Sequence, residues 1–204
     1  MQSQVSQSSR WLVQALVGLA LYATVALAMA GPVRSVGAVT FIDANTLAVA
    51  DRQAGEIHAI SLPPVEFSQP SAFNLKQLSA LVAKALRTTQ EKLRFEGMAF
   101  RPGTELAYIS LSIDRGASPA LVWVDHTGKV KVMNLASAPH SSAAIKDRPA
   151  ADQTFWNDVP AATYTVTDMT FYNGRLYVAG LSNATFASTL RIYGYPFNGQ
   201  STTT

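Results

Sequence analysis

A pattern that the chain repeats three times constrains its fold more than any other feature. The first copy is Val39-Thr40-Phe41, a turn at Asp43-Ala44-Asn45-Thr46, then Leu47-Ala48-Val49-Ala50-Asp51. The second is Met98-Ala99-Phe100, a turn through Pro102-Gly103, then Leu106-Ala107-Tyr108-Ile109-Ser110. The third is Met169-Thr170-Phe171, a turn at Asn173-Gly174, then Leu176-Tyr177-Val178-Ala179-Gly180. Apolar residues alternate with small or polar ones on both sides of each turn, the period-two signature of a strand with two distinct faces. Asn-Gly suits a tight hairpin because both residues tolerate positive φ.

A third apolar run follows each pair, at Ile57–Ile60, Leu121–Val124 and Leu190–Tyr193. The second copy adds a fourth, where His126-Thr127-Gly128-Lys129 turns into Val130–Met133. Four antiparallel strands in succession form one blade of a β-propeller. The expected fold is therefore all-β, a partial propeller of about three four-stranded antiparallel blades. Phe41, Phe100 and Phe171 lie farther apart than the usual blade period of roughly 40–50 residues, so insertions are expected. One, about residues 70–93, reads as helical: Asn74 with Gln77 forms a capping pattern, and Leu75, Leu78, Val82 and Leu86 follow at helical spacing. Thr88 with Glu91 marks a further short turn. The other, about residues 136–163, is rich in Ala, Ser, Pro and Asp and reads as a surface loop.

On LAVADRQAGEIHAISL, FEGMAFRPGTELAYISLS and VTDMTFYNGRLYVAGLSNATFASTLRIYGYPF, the chain resembles the secreted β-propeller proteins of bacteria, the NHL, YVTN and TolB-like kind. The last phrase is most similar to an uncharacterised group of exported propellers. The resemblance covers about residues 36–198 and implies a fold rather than a task, because propellers host many unrelated activities. Closed propellers typically have 4–8 blades. Three leave the ring open, so the chain is read as the N-terminal part of a longer protein.

The N-terminus points to export. Residues 1–10 are polar with one charge, Arg10, and Trp11–Ala30 carries none. That run ends in Ala28-Met29-Ala30, the small-x-small pattern read by signal peptidase. The expected organisation is a signal helix over 1–30 and a partial propeller over 31–204, in the periplasm or outside the cell. The alternative is an uncleaved anchor over residues 11–30, since about 20 apolar residues can span a bilayer. With no cysteine there are no disulfides, thiol nucleophiles or thiolate metal sites. The net charge of +3 is scattered, with no basic run for nucleic acid.

No catalytic constellation stands out. Gly180-Leu181-Ser182-Asn183-Ala184 resembles a nucleophile elbow, but Ala replaces the final Gly and the context is not a strand-to-helix turn. His58, His126 and His140 are not at metal-ligand spacing; His58 lies in an alternating strand with its side chain expected toward solvent, and His126 in a turn. Asp43 and Asn45 start a D-x-N calcium pattern but lack its later ligands and read as a hairpin turn. Thr127-Gly128-Lys129 lacks the upstream glycine of a phosphate loop, and Asn183-Ala184-Thr185 is a formal glycosylation sequon. The better candidates are Glu96 and Asp168, each expected just before an innermost strand, where carboxylates converge on a propeller's channel. Ser182 and Asn183 would line the same mouth; the plain alternative is that all four only cap strand ends and pair with nearby Arg. The expected function is a binding module of the cell envelope, for a protein or a small ligand. The rival is a lactonase- or quinoprotein-type enzyme with a cation in the channel. No cofactor is identified, and calcium is not specifically indicated.

Overall fold

The computed structural model describes residues 32–66, 68, 72–155, 158–184, 188–198 and 201–203. The expected signal segment, 1–30, lies outside the described residues. Among those described, no helix is long and apolar enough to cross a membrane.

The chain is all-β, with most of its strands in three four-stranded antiparallel sheets. In chain order come β1 (Val39–Asp43), β2 (Thr46–Asp51) and β3 (Glu56–Ser61), then helix α1 (Leu78–Leu86) and a 3-10 turn, Gln90–Lys92. Next are β4 (Leu93–Phe100), β5 (Ala107–Ile113), β6 (Ser118–Val124), β7 (Val130–Val132) and β8 (His140–Ala144). A two-stranded ribbon of β9 (Thr154–Phe155) and β10 (Val159–Pro160) follows. The last four strands are β11 (Asp168–Tyr172), β12 (Arg175–Leu181), β13 (Ser188–Gly194) and β14 (Ser201–Thr203).

Local chemistry sets the turns. Asp43 accepts hydrogen bonds from the Asn45 amide (2.7 Å) and the Thr46 hydroxyl (3.1 Å), closing the β1–β2 turn. Asn173 and Gly174 take φ of 49° and 74° between β11 and β12, the left-handed pair that a two-residue hairpin needs. Helix α1 does not start from Asn74; it begins at Leu78, after Gln77 in a left-handed conformation with no side-chain cap.

Sheet one has strand order β1-β2-β3-β8, sheet two β4-β5-β6-β7, and sheet three β11-β12-β13-β14. The fourth strand of sheet one thus arrives only after sheet two is complete, and it corrects the reading of residues 136–163 as a surface loop. Its sequence, His-Ser-Ser-Ala-Ala, has no β-branched or large apolar residue. What makes it a strand is register with β3, from Glu56 opposite Ala144 to Ile60 opposite His140.

Sheet one lies between the other two. One face packs Ala48, Ala50, Ile57 and Ala59 against Met169, Leu176, Val178 and Tyr193 of sheet three. The other packs Val39, Leu47, Val49 and Ile60 against Tyr108 and Leu121 of sheet two. The far face of sheet two buries Ile109, Leu111, Val122 and Val124 beneath Val82 of α1. Every residue of β2 is buried as a result. Burying each large apolar side chain is worth roughly 1.5–3 kcal/mol, so these two interfaces dominate the packing. β1 contacts both β4 and β11, which places the first strands of the three sheets side by side.

One buried arginine ties sheet one to each neighbour. Arg101, 1% exposed, follows β4 and donates to the Ala44 carbonyl (2.6 Å), Asn45 Oδ1 (2.7 Å), the Pro63 carbonyl (2.8 Å) and the Tyr108 hydroxyl (3.3 Å). Arg191 of β13, also 1% exposed, donates to Asp147 (2.6 Å), the Leu181 carbonyl (2.7 Å) and the Thr165 carbonyl (2.9 Å).

Candidate functional site

A cavity of about 730 Å³ opens between one end of sheets one and two and the segment that leads from β8 to β11. Glu96 lies at it, and the reason is a fault in strand pairing. Phe95 pairs with Leu111 and Gly97 with Ser110, so Glu96 is the extra residue of a bulge. Bulges re-aim a side chain. A Cβ at Gly97 would come within 3.1 Å of both the Gly37 carbonyl and the Ser110 hydroxyl oxygen, which explains glycine where β4 presses on the entry to sheet one. Glu96 is therefore inside β4 rather than before it, because the strand starts at Leu93.

Its carboxylate is nearly buried and fully engaged. Ser112 donates to it at 2.7 Å, Arg52 lies at 3.3 Å and Arg94 at 3.4 Å. Arg52 also donates to the Thr163 carbonyl at 3.3 Å, so one guanidinium bridges the β2–β3 turn, sheet two and the approach to β11. That turn is fixed from beneath by Asp51, whose carboxylate accepts from the amides of Arg34, Ser35 and Ala54 and from the Ser35 hydroxyl. Burial pushes the Asp51 carboxyl up, but the His58 imidazole and these donors outweigh it and bring the pKa down to about 2.

Three more cations reach the cavity. Arg115 sits in the 3-10 turn Asp114–Gly116, where all three residues have positive φ (50°, 58° and 97°). Two of them are not glycine, and such backbone is strained. Lys146 and Arg148 come from the segment after β8. Asp147, between them, turns to Arg191, and its carbonyl accepts from the Asn183 amide at 2.7 Å. Among the described residues, no carboxylate lies within ion-pair distance of Arg115, Lys146 or Arg148. The described lining thus carries five basic side chains and one carboxylate, and the carboxylate is already shared by two of the five.

The four residues singled out from sequence do not meet. Asp168 opens β11, is exposed, and accepts from its neighbour's amide, Met169, at 2.8 Å; it does not line the cavity. Ser182 and Asn183 do not line it either, although Asn183 braces the wall that carries Lys146 and Arg148. The Gly180–Ala184 segment is a strand end, and a side chain at Gly180 would collide with the Thr165 carbonyl. Thr185 of the sequon lies outside the described residues.

The expectation that His58 faces solvent is overturned. It is fully buried, because sheet one is covered on both faces and the middle of β3, Ile57–Ile60, has no wet side. His58 Nε2 is 3.4 Å from Asp51 and 3.9 Å from Glu56, ion-pair distances without hydrogen-bond alignment, and its ring meets that of His140 edge-on at 5.0 Å. His126 pairs with Glu105. No group of three or more His, Asp or Glu suited to a metal occurs among the described residues. Sequence reasoning missed Arg52, Arg94, Arg115, Lys146 and Arg148. They are scattered over nearly a hundred residues, and only folding brings them together. The chain matches no protein-family profile, no curated protein and no solved structure.

Proposed function

We propose that this chain is a binding module of the cell envelope, built on propeller-type blades, that takes a small ligand in the cavity beside Glu96. The observation that carries the reading is the cavity's construction. Its volume of about 730 Å³ is in the range of small-molecule sites. Its polar side chains are held from behind: Arg52 by Glu96 and Thr163, Glu96 by Ser112, and the Lys146–Arg148 wall by Arg191. A pocket held in shape loses little entropy on binding. The adjacency of β1, β4 and β11 supports the blade reading, since inner strands lie side by side around a propeller's channel. The rival reading, an enzyme holding a cation, draws no support from this cavity, where a cation would face five basic groups.

Ligand-observed NMR of the purified chain against small molecules of negative, neutral and positive charge tests the binding reading. The expected result is at least one ligand whose signal is lost in Ser112→Ala or in Gln53→Ala, Gln53 of the β2–β3 turn being another residue of the cavity lining. Ligands that bind without responding to either variant would move the site elsewhere. The envelope location is tested by sequencing the N-terminus after expression in a secreting bacterium. A start at Gly31 is expected, and an intact N-terminus in the soluble cytosol would refute export.

A further inference from the structure

We infer that the ligand of this cavity is a compact oxyanion carrying at least two negative charges, a polycarboxylate or a phosphate compound. This inference rests on the binding reading above and specifies its chemistry. The charge balance is the first argument. Glu96 is saturated by Ser112, Arg52 and Arg94, so it offers nothing further to the remaining cations. Arg115, Lys146 and Arg148 line the same concavity, and no carboxylate among the described residues lies within ion-pair distance of them. Like charges gathered on one concavity repel one another and focus a positive potential outward. A multiply charged anion relieves that repulsion, whereas a neutral ligand leaves it in place.

The second argument is how the cations are delivered. Lys146 and Arg148 flank Asp147, which is drawn inward by the buried Arg191 and braced through its carbonyl by Asn183. Arg115 is presented by a turn with two left-handed non-glycine residues, and Lys92 pairs with Asp114 at 3.1 Å beside it. Arg52 and Arg94 reach the lining from the β2–β3 turn and from β4, and both pair with Glu96, at 3.3 and 3.4 Å. Guanidinium groups match the planar or tetrahedral oxygens of carboxylates and phosphates with paired hydrogen bonds. Five cations delivered to one cavity by separate elements favour an anion that can meet more than one of them over a single-charge ion.

Calorimetric titration of the purified chain with citrate and with pyrophosphate, at matched ionic strength, tests the inference and separates its two sources. The double variant Lys146→Gln/Arg148→Gln removes two exposed cavity charges. Lys129→Gln/Lys131→Gln removes two charges outside the cavity lining and serves as the control. Circular dichroism establishes that both are folded. The expected result is binding of at least one anion, weakened roughly tenfold or more in the cavity variant and unchanged in the control. The stronger of citrate and pyrophosphate identifies the source. Equal weakening in both variants would reduce the effect to general surface charge and overturn the inference. A neutral sugar or a polyamine that binds in a Ser112-dependent way while both anions fail would overturn the inference but leave the binding reading standing. Failure of every ligand would remove both.

Discussion

The two buried arginines each tie sheet one to a neighbouring sheet, and they are held differently. Among the described residues, Arg101 locks sheet one to sheet two through carbonyl, amide and phenol oxygens, with no carboxylate. Arg191 locks sheet one to sheet three through two carbonyls and one carboxylate, Asp147. The neutral cradle satisfies everything in it. The ionic one does not, since Asp147 Oδ2 is buried with no hydrogen-bond partner. A group left unsatisfied costs stability. Here it sits between the two cavity cations Lys146 and Arg148. One arginine therefore only holds the fold, while the other also positions a wall of the candidate site.

The largest expected effect is on the arginine that only holds. Arg101→Ala strips four acceptors of their donor and opens a void at the sheet-one/sheet-two interface. That combination is expected to cost about 3–5 kcal/mol. At about 2–4 °C per kcal/mol for a chain of this size, the melting temperature should fall by roughly 10 °C. Anion affinity, measured below the transition, should not change. A loss of affinity would show that Arg101 reaches the cavity and would break the distinction.

Asp147→Asn should give a smaller thermal loss with a binding defect. The charge of Arg191 is then buried without its counter-ion, expected to cost about 2–3 kcal/mol. The freed segment should lower anion affinity roughly fivefold to tenfold. If melting falls and affinity stays, Asp147 is only a fastener and the two arginines are equivalent.

These two knots also show where sequence reasoning stopped. The turns at Asp43–Asn45 and Asn173–Gly174 were readable because their chemistry is local. The alternating runs gave the strands for the same reason. Strand β8 was not readable, because Ser and Ala carry no strand signal and only the partner β3 makes His140–Ala144 extended. Arg101 and Arg191 were missed because arginine is ordinarily exposed, and nothing local marks one as core. His58 was assigned to solvent on the rule that an alternating strand has one wet face. That rule fails for a sheet packed on both sides. Of the candidate site, Glu96 was found through its place at an inner strand, while its cationic partners come from segments whose proximity depends on topology.

Acid should sharpen the comparison further. Asp51 holds the β2–β3 turn and with it Arg52, and its pKa is lowered from 3.8 to about 2 in the folded chain. A depressed carboxylate stabilises the fold above its unfolded pKa, and that contribution is lost as pH falls through the folded value. Melting temperature is therefore expected to drop between about pH 3.8 and pH 2, and Asp51→Asn should remove that part of the acid profile. Arg101→Ala should leave its shape unaltered, since no acid among the described residues touches that cradle. An unchanged profile in Asp51→Asn would assign the acid loss to other carboxylates.

The smallest effect is expected on the alkaline side, where each arginine has a buried tyrosine nearby. Burial raises both hydroxyls, Tyr108 beside Arg101 and Tyr193 beside Arg191. Near Tyr108 only Arg101 acts, and it draws the pKa back down. Near Tyr193 the lowering by Arg191 is opposed by Asp147, and the pKa is pushed up to about 12. For a phenol the neutral form is the one favoured in the fold. Its contribution is complete below the unfolded value of 10 and is lost as pH rises toward about 12. Tyr193→Phe keeps the ring in the core that it shares with Leu176 and Val178. At neutral pH the change should cost no more than about 1 kcal/mol. Above pH 10 the variant should lose less stability than the parent, because it has no proton to release on unfolding. In Asp147→Asn the opposing charge is gone, so the alkaline loss from Tyr193 should also shrink. Melting curves of the parent, Tyr193→Phe and Asp147→Asn through this range distinguish the cases. If Tyr193→Phe follows the parent at every pH, the ionic knot has no influence on the tyrosine beside it, and the difference between the two arginines reduces to the cavity wall alone.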